Sequence, residues 1–128
     1  MKDRSFTMYA GFFDMTITVI VSDNLQRAYN RRKKVMGPVN PSFGWDKVLG
    51  GVYERGRMVW VMLLRTPNIK ALRHDVIAHE ISHLVDHALT YNGIEWGPGK
   101  CKETKAMATE YFTRCIYHHL RIWKQKTI

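Results

Sequence analysis

Two histidines four residues apart, with a glutamate beside the first, stand out as groups able to do chemistry: His79-Glu80-Ile81-Ser82-His83. On an α-helix, positions four apart project from one face, one turn above the other. Two imidazole nitrogens placed that way can each approach one zinc ion at about 2.0–2.1 Å. Glu80 is angled away from the pair, so it can hold a water at the metal instead of binding the metal itself. Zinc lowers the pKa of such a water to about 7, and a carboxylate takes its proton as it attacks a carbonyl. H-E-x-x-H on a helix is therefore a zinc-hydrolase signature. The plain alternative is a solvated helix that merely exposes His and Glu.

The helix itself is readable. From Pro67 to Gly93, apolar residues recur at spacings of three and four: Ile69, Leu72, Val76, Ile77, Ile81, Leu84, Val85 and Leu89. No Pro or Gly interrupts the motif. Asn92-Gly93 supplies the stop, because both residues tolerate the left-handed conformation that ends helices.

The remaining elements follow from local pattern. Phe12 to Val21 is rich in β-branched residues and reads as a strand. Ser22-Asp23-Asn24 offers a helix N-cap, and a weak helical stripe runs from Leu25 to Met36 before Gly37-Pro38 ends it. Val39 to Asp46 reads as a loop. Val48 to Glu54 and Met58 to Arg65 read as a hairpin turning at Arg55-Gly56-Arg57. Gly50-Gly51 weakens the first of these strands and marks a bulge or a close backbone approach. A last helix spans about Lys102 to Lys124, with Ala108, Phe112, Cys115, Ile116, His119 and Trp123 on its apolar face. The expected architecture is one α+β domain over residues 1–128: a short, mostly antiparallel sheet packed against the motif helix and the C-terminal helix.

Composition narrows the class. The chain has 128 residues and is 45% hydrophobic, enough for one modest core. No apolar run approaches the ~20 residues that span a bilayer. Met1-Lys2-Asp3-Arg4 is not followed by a signal-peptide pattern, so a cytoplasmic location is expected. Cys101 and Cys115 form no C-x-x-C pair and no disulfide framework. The formal net charge of +9 favours acidic partners or nucleic acid, with one dense run at Arg31-Arg32-Lys33-Lys34. That run equally suits a solvated helix end, where cations complement the dipole.

A catalytic zinc site wants three protein ligands and one open position. His87 continues the motif row, but it stands about 12 Å from His79 along a straight axis, too far for one ion. Glu103, 20 residues after His83, lies in the first turn of the last helix, with the small Ala106 one turn later. Glu110 competes from two turns further on, where Arg114 is also placed to pair with it. Glu103 is the favoured third ligand and Glu110 the alternative.

His79-Glu80-x-x-His83 followed by Glu103-x-x-Ala106 resembles the gluzincin zinc metallopeptidases, whose third ligand is a Glu on a later helix. The order of elements is also similar to small phage-encoded metallopeptidases and, more distantly, to the ImmA/IrrE group. The resemblance covers most of the chain by element order, but only these two short motifs by residue. It implies a zincin-like fold, a zinc cofactor, ligands His79, His83 and Glu103, Glu80 as general base, and a protein or peptide substrate. It implies too that the strand Val48 to Glu54 pairs with extended peptide at the sheet edge. The pattern departs at Met107, where many gluzincins carry an Asp that orients a ligand His. Asp75 or Asp86, each within a turn of a motif His, could stand in for it. Candidates to steady an oxyanion are Tyr91, Tyr111, Tyr117, His118 and His119, and the residues do not single one out.

The expected function is zinc-dependent peptide-bond hydrolysis in a bacterial or phage-infected cell. The rival from another class is a basic nucleic-acid-associated protein with a structural or vestigial zinc site, binding nucleic acid weakly and without sequence preference. A zinc hydrolase of a non-peptide bond is the third reading.

Overall fold

A computed structural model describes residues 2–31, 48–56, 58–94 and 102–126 of the chain. The elements in order are β1 (Arg4–Ala10), β2 (Met15–Ser22), α1 (Leu25–Arg31), β3 (Gly50–Gly56), β4 (Val59–Arg65), α2 (His74–Tyr91) and α3 (Lys102–Lys126). The four strands form one sheet in the order β1-β2-β4-β3. Two of its three pairings are antiparallel, β1 with β2 and β3 with β4, while β2 and β4 run parallel. The α+β expectation therefore holds, with β3 at one edge.

Strand alternation sends side chains to two separate cores. Met15, Ile17, Val19 and Val21 of β2 join Trp60, Met62 and Leu64 of β4 beneath α2 and α3. Ile20, Val61 and Leu63 point the other way and pack with Leu25, Ala28 and Tyr29 of α1. β4 and the second half of β2 are thus covered on both faces, which explains their apolar runs, whereas Thr16 and Thr18 in the first half of β2 stay half-exposed.

Sequence and structure part at the N-terminus. The first strand is β1, which pattern reading leaves unassigned. Phe12 and Phe13, read as strand, instead form a 3-10 turn over Gly11–Phe13 that leads into β2. Asp14 closes the turn in the left-handed region at φ 51°, and its carboxylate accepts a 2.7 Å bond from the Tyr9 hydroxyl. Phe6, Met8 and Ala10 alternate with Ser5, Thr7 and Tyr9, the period of a half-buried strand, and the denser β-branched run of β2 overshadows it.

The motif helix is shorter than its apolar period. It begins at His74, and Ile69–Ala71 is a separate 3-10 turn capped by Asn68, whose side chain accepts the Ala71 N–H at 3.0 Å. Ile69 and Leu72 are buried from this turn. A 3-10 turn also repeats at three, so these residues match a helical stripe without belonging to the helix. The far end behaves as expected. Gly93 takes φ +68°, its N–H reaches Thr90 O at 3.1 Å, and Ile94 N–H reaches Leu89 O at 2.9 Å. This paired bonding satisfies carbonyls that the helix end would otherwise leave open. Asn92 adds a bond from its side-chain amide to Phe13 O at 3.1 Å, tying the helix end to the β1–β2 turn.

The remaining local readings hold where residues are described. Asn24 caps α1, its side chain accepting the Arg27 N–H at 2.9 Å. Arg32 to Lys34, the loop from Val39 to Asp46, and Cys101 lie outside the described residues. No helix among the described residues is long and apolar enough to cross a membrane.

Candidate metal centre

α2 presents its apolar stripe to the sheet and to α3, with Ile77, Ile81, Leu84, Val85, Ala88 and Leu89 buried. His79 and His83 lie on the opposite, exposed side. Their rings meet edge to face, and the two Nε2 atoms stand 3.1 Å apart. Two nitrogens at that separation, each about 2.0–2.1 Å from a common ion, subtend roughly 100° there, near a tetrahedral angle. The helix thus brings two imidazole nitrogens to one place, where they are also within hydrogen-bond distance of each other.

Glu80 faces a different neighbour. One position on from His79, it is rotated toward the edge strand β3 and is only 4% exposed. Gly50 makes that position available. A Cβ there would lie 2.9 Å from Glu80 Cγ and 2.9 Å from the Leu63 carbonyl. Of the two sequence readings of Gly50-Gly51, the close backbone approach is what Gly50 makes. The bulge lies further along, between Glu54 and Gly56.

Glu80 Oε1 is 3.9 Å from His79 Nε2, and Oε2 is buried with no hydrogen-bond partner among the described residues. Burial raises the pKa of this carboxyl above its ordinary value, and the two motif imidazoles pull it back. A buried carboxylate oxygen without a donor is costly to fold. It is also an open acceptor for a proton carried into the site.

A cleft of about 500 Å³ opens beside this group. His79 and Glu80 line one part, Arg73 and Asp75 line the part at the start of α2, and Val48 and Leu49 lie across from them. Arg73 binds Asp75 through two nitrogens, at 3.0 and 2.5 Å, and holds that carboxyl below the usual range.

Glu103 is not brought to the histidines. His74 Nδ1 meets Tyr117 Oη at 2.8 Å and Lys105 meets Asp86 at 3.4 Å, so α3 runs antiparallel to α2. Two residues before Lys105, Glu103 falls level with Ala88, roughly 7 Å beyond His83 along the axis. It is exposed on the side of α3 away from its buried stripe of Ala108, Phe112, Ile116 and Leu120. Glu110 has the better height, level with the motif, but it shares that outward side and is paired with Arg114. Among the described residues, no three His, Cys, Asp or Glu are grouped to hold a metal.

The supporting residues are also engaged elsewhere. Asp75 serves Arg73 and Asp86 serves Lys105, so neither carboxylate orients a motif imidazole. His87 is half-buried and stacked on Trp60 at 4.3 Å between centroids, and burial lowers its pKa. Tyr91 packs edge-on against Trp60, and a hydrogen bond to Glu54 raises its pKa. Tyr117 bonds His74, Tyr111 packs on Phe112, His119 stacks on Phe6, and His118 lies edge-on to His119. The glycine pair Gly50-Gly51 signals a close approach in sequence, and the structure shows that the group approaching Gly50 is the Glu80 side chain.

No family model, no curated protein and no solved structure matches the chain.

Proposed function

We propose that this chain is a zinc-dependent metallopeptidase in which His79 and His83 hold the metal and Glu80 is the general base. The convergence of the two Nε2 atoms at 3.1 Å, beside a buried carboxylate oxygen that lacks a partner, carries the reading. A helix that merely displayed His and Glu would have no reason to bury the Glu. A purely structural zinc site would have no use for a carboxylate held just outside its ligands.

The donor set supplies two of the three protein ligands that a catalytic zinc wants, the imidazoles of His79 and His83, with Glu80 close by. Zinc bound there supplies Lewis acidity, polarising a carbonyl and making water more acidic. Glu80 accepts the proton of the attacking water and returns it to the departing amine. Its burial favours the first step, because a carboxylate with a raised pKa is the stronger base. β3 supports a peptide substrate. The Arg65 N–H to Leu49 O bond at 2.9 Å fixes which residues of β3 bond to β4. By alternation, the backbone groups of Gly50 and Val52 then face the outer edge, where an extended peptide adds as a further strand.

The test combines metal content with hydrolysis of denatured protein. Wild-type protein should bind zinc and cleave. His79→Ala and His83→Ala should lose the metal. Glu80→Gln should retain it while activity falls by about 10²–10⁴-fold, the usual cost of a lost general base. Full activity in Glu80→Gln overturns the reading.

A further inference from the structure

The two edges of the sheet are built differently. β3 breaks its register at the bulge between Glu54 and Gly56 and carries the charged pair Glu54-Arg55 there. β1 keeps an unbroken register with β2 along its whole length, and from Ser5 to Ala10 it has no charged residue and no Pro. Bulges, charges and prolines are the devices that guard natural edge strands against pairing. The groups on the open side of β1 can be identified. Thr16 N–H donates to Met58 O at 2.9 Å, so the Thr16 backbone faces β4. By alternation Met15 and Ile17 face β1, where they meet Ala10 and Met8. Thr7 and Tyr9, on either side of Met8, therefore turn their N–H and C=O outward. Their side chains are exposed as well, Tyr9 by 60%.

α3 adds a flank on the same side. Lys105 meets Asp86 and Tyr117 meets His74, so both reach α2. At 3.6 residues per turn Tyr111 stands about 120° round the helix from each of them, on the side away from α2. Glu80 beside Gly50 sets α2 under the β3 edge, while Phe6 on His119 and Trp123 sets α3 under β1. The side of α3 away from α2 is therefore the side of the β1 edge. Met107, Tyr111, Cys115, His118 and Ile122 follow one another there at spacings of three and four, and none is Lys, Arg, Asp or Glu. On a chain of net charge +9, this is a surface on which two copies repel each other least.

We propose that a second copy of this chain pairs with β1, antiparallel, about a two-fold axis at Met8. Thr7 of each copy then exchanges both backbone bonds with Tyr9 of the other, and two four-stranded sheets become one. An antiparallel pair of identical strands is self-complementary, as a two-fold axis requires. The register sets each Thr7 beside a Tyr9, a β-branched and aromatic cross-strand pair of the favourable kind. The uncharged flanks of α3 come alongside each other below the joint. Two such exchanges make about four hydrogen bonds, which at one per 100–200 Å² go with roughly 400–800 Å² of buried surface. The α3 flanks bring the total to about the 1,000 Å² of a small specific interface, so the dimer is reversible. An unrelated extended peptide would make the same backbone bonds but gain nothing from the α3 flank. The pairing does not depend on the metal centre.

The test is sedimentation equilibrium of the full chain together with amide exchange by NMR. The mass should rise from one copy toward two between about 10 µM and about 1 mM. Over the same range the Thr7 and Tyr9 N–H groups should come to exchange several-fold more slowly. Thr7→Pro removes an outward N–H while leaving the bonds to β2 in place, and should weaken the dimer by at least about tenfold. Thr7→Lys keeps the N–H but sets two cations diagonally across the joint, and should weaken it less. Gln26→Lys adds the same charge at an exposed position on α1, on the other face of the sheet, and should have little effect. A wild-type chain that stays monomeric to about 1 mM overturns the proposal. So does a dimer in which Thr7 and Tyr9 gain no protection, or one that Gln26→Lys weakens as much as Thr7→Lys. Protection that follows added unfolded casein and not protein concentration would make the edge a peptide site, and would overturn it too.

Discussion

Replacing Gly50 by alanine tests the link between the edge strand and Glu80. The new Cβ would stand 2.9 Å from the Leu63 carbonyl oxygen and 2.9 Å from Glu80 Cγ, with Cδ at 3.2 Å. Leu63 is held by strand pairing on both sides, so the edge strand at residue 50 must shift and Glu80 with it. Overpacking of this kind costs about 1–3 kcal/mol. Restricting the unfolded chain returns about 0.4–1 kcal/mol. A net loss of about 1–2 kcal/mol lowers the Tm of a chain this size by roughly 3–8 °C. Gly56→Ala is the matched control, since nothing lies within 4 Å of a Cβ there. It should be neutral or slightly stabilising. Gly51→Ala should fall between them, because its clash is with the tip of the Tyr53 side chain. Calorimetry of the three metal-free proteins, followed by hydrolysis assays with zinc, reads both effects. Gly50→Ala should also lose most activity through the displaced carboxylate. A Gly50→Ala protein as stable as Gly56→Ala, or fully active, would refute the seating of Glu80 by Gly50.

Two further outcomes follow from named contacts. Glu103→Gln and Glu110→Gln should each leave zinc affinity unchanged by titration, because both carboxylates lie on the outward side of α3; a large drop for either would place it at the metal. Asp23, held below its ordinary pKa by the hydrogen bond from Arg27, contributes stability that is present above the unfolded value near about 3.9 and lost as pH falls through the folded one. Acid titration of wild type against Asp23→Asn should therefore show a stability gap at pH about 6 that closes as the pH falls through the folded-state pKa; a gap that widens instead would contradict the ion pair.

Features that depend on a few adjacent residues were the legible ones. The His79–His83 spacing, the Asn24 cap, the Asn92-Gly93 stop and the β3–β4 hairpin are each local, and backbone geometry leaves them little choice. The position of Glu103 is of another kind. Its distance from His83 depends on how α3 is phased and staggered against α2, and that is set by Ala108, Phe112 and Ile116 entering the core and by pairs such as Lys105–Asp86. Residue type and sequence distance do not report helix phase at a remote contact. β1 escaped for a different reason: the alternation of Phe6, Met8 and Ala10 is overshadowed by the denser β-branched run of β2. The seat at Gly50 was half legible, since the glycine pair signalled a close approach but not what approached.

The parallel seam between β2 and β4 has a kinetic consequence. Its partners, such as Thr16 and Val59, are 43 positions apart, whereas the β1–β2 hairpin closes over Ala10 and Met15. Loop-closure entropy makes the seam about 2 kcal/mol harder to initiate than the hairpin. The two hairpins therefore form early, and joining them is the slow event. Gly50, His79, Glu80 and His83 all fall on one side of that seam in sequence, between β3 and the end of α2. The core beneath α2 closes only when β2 arrives, so the seam completes the support of the site.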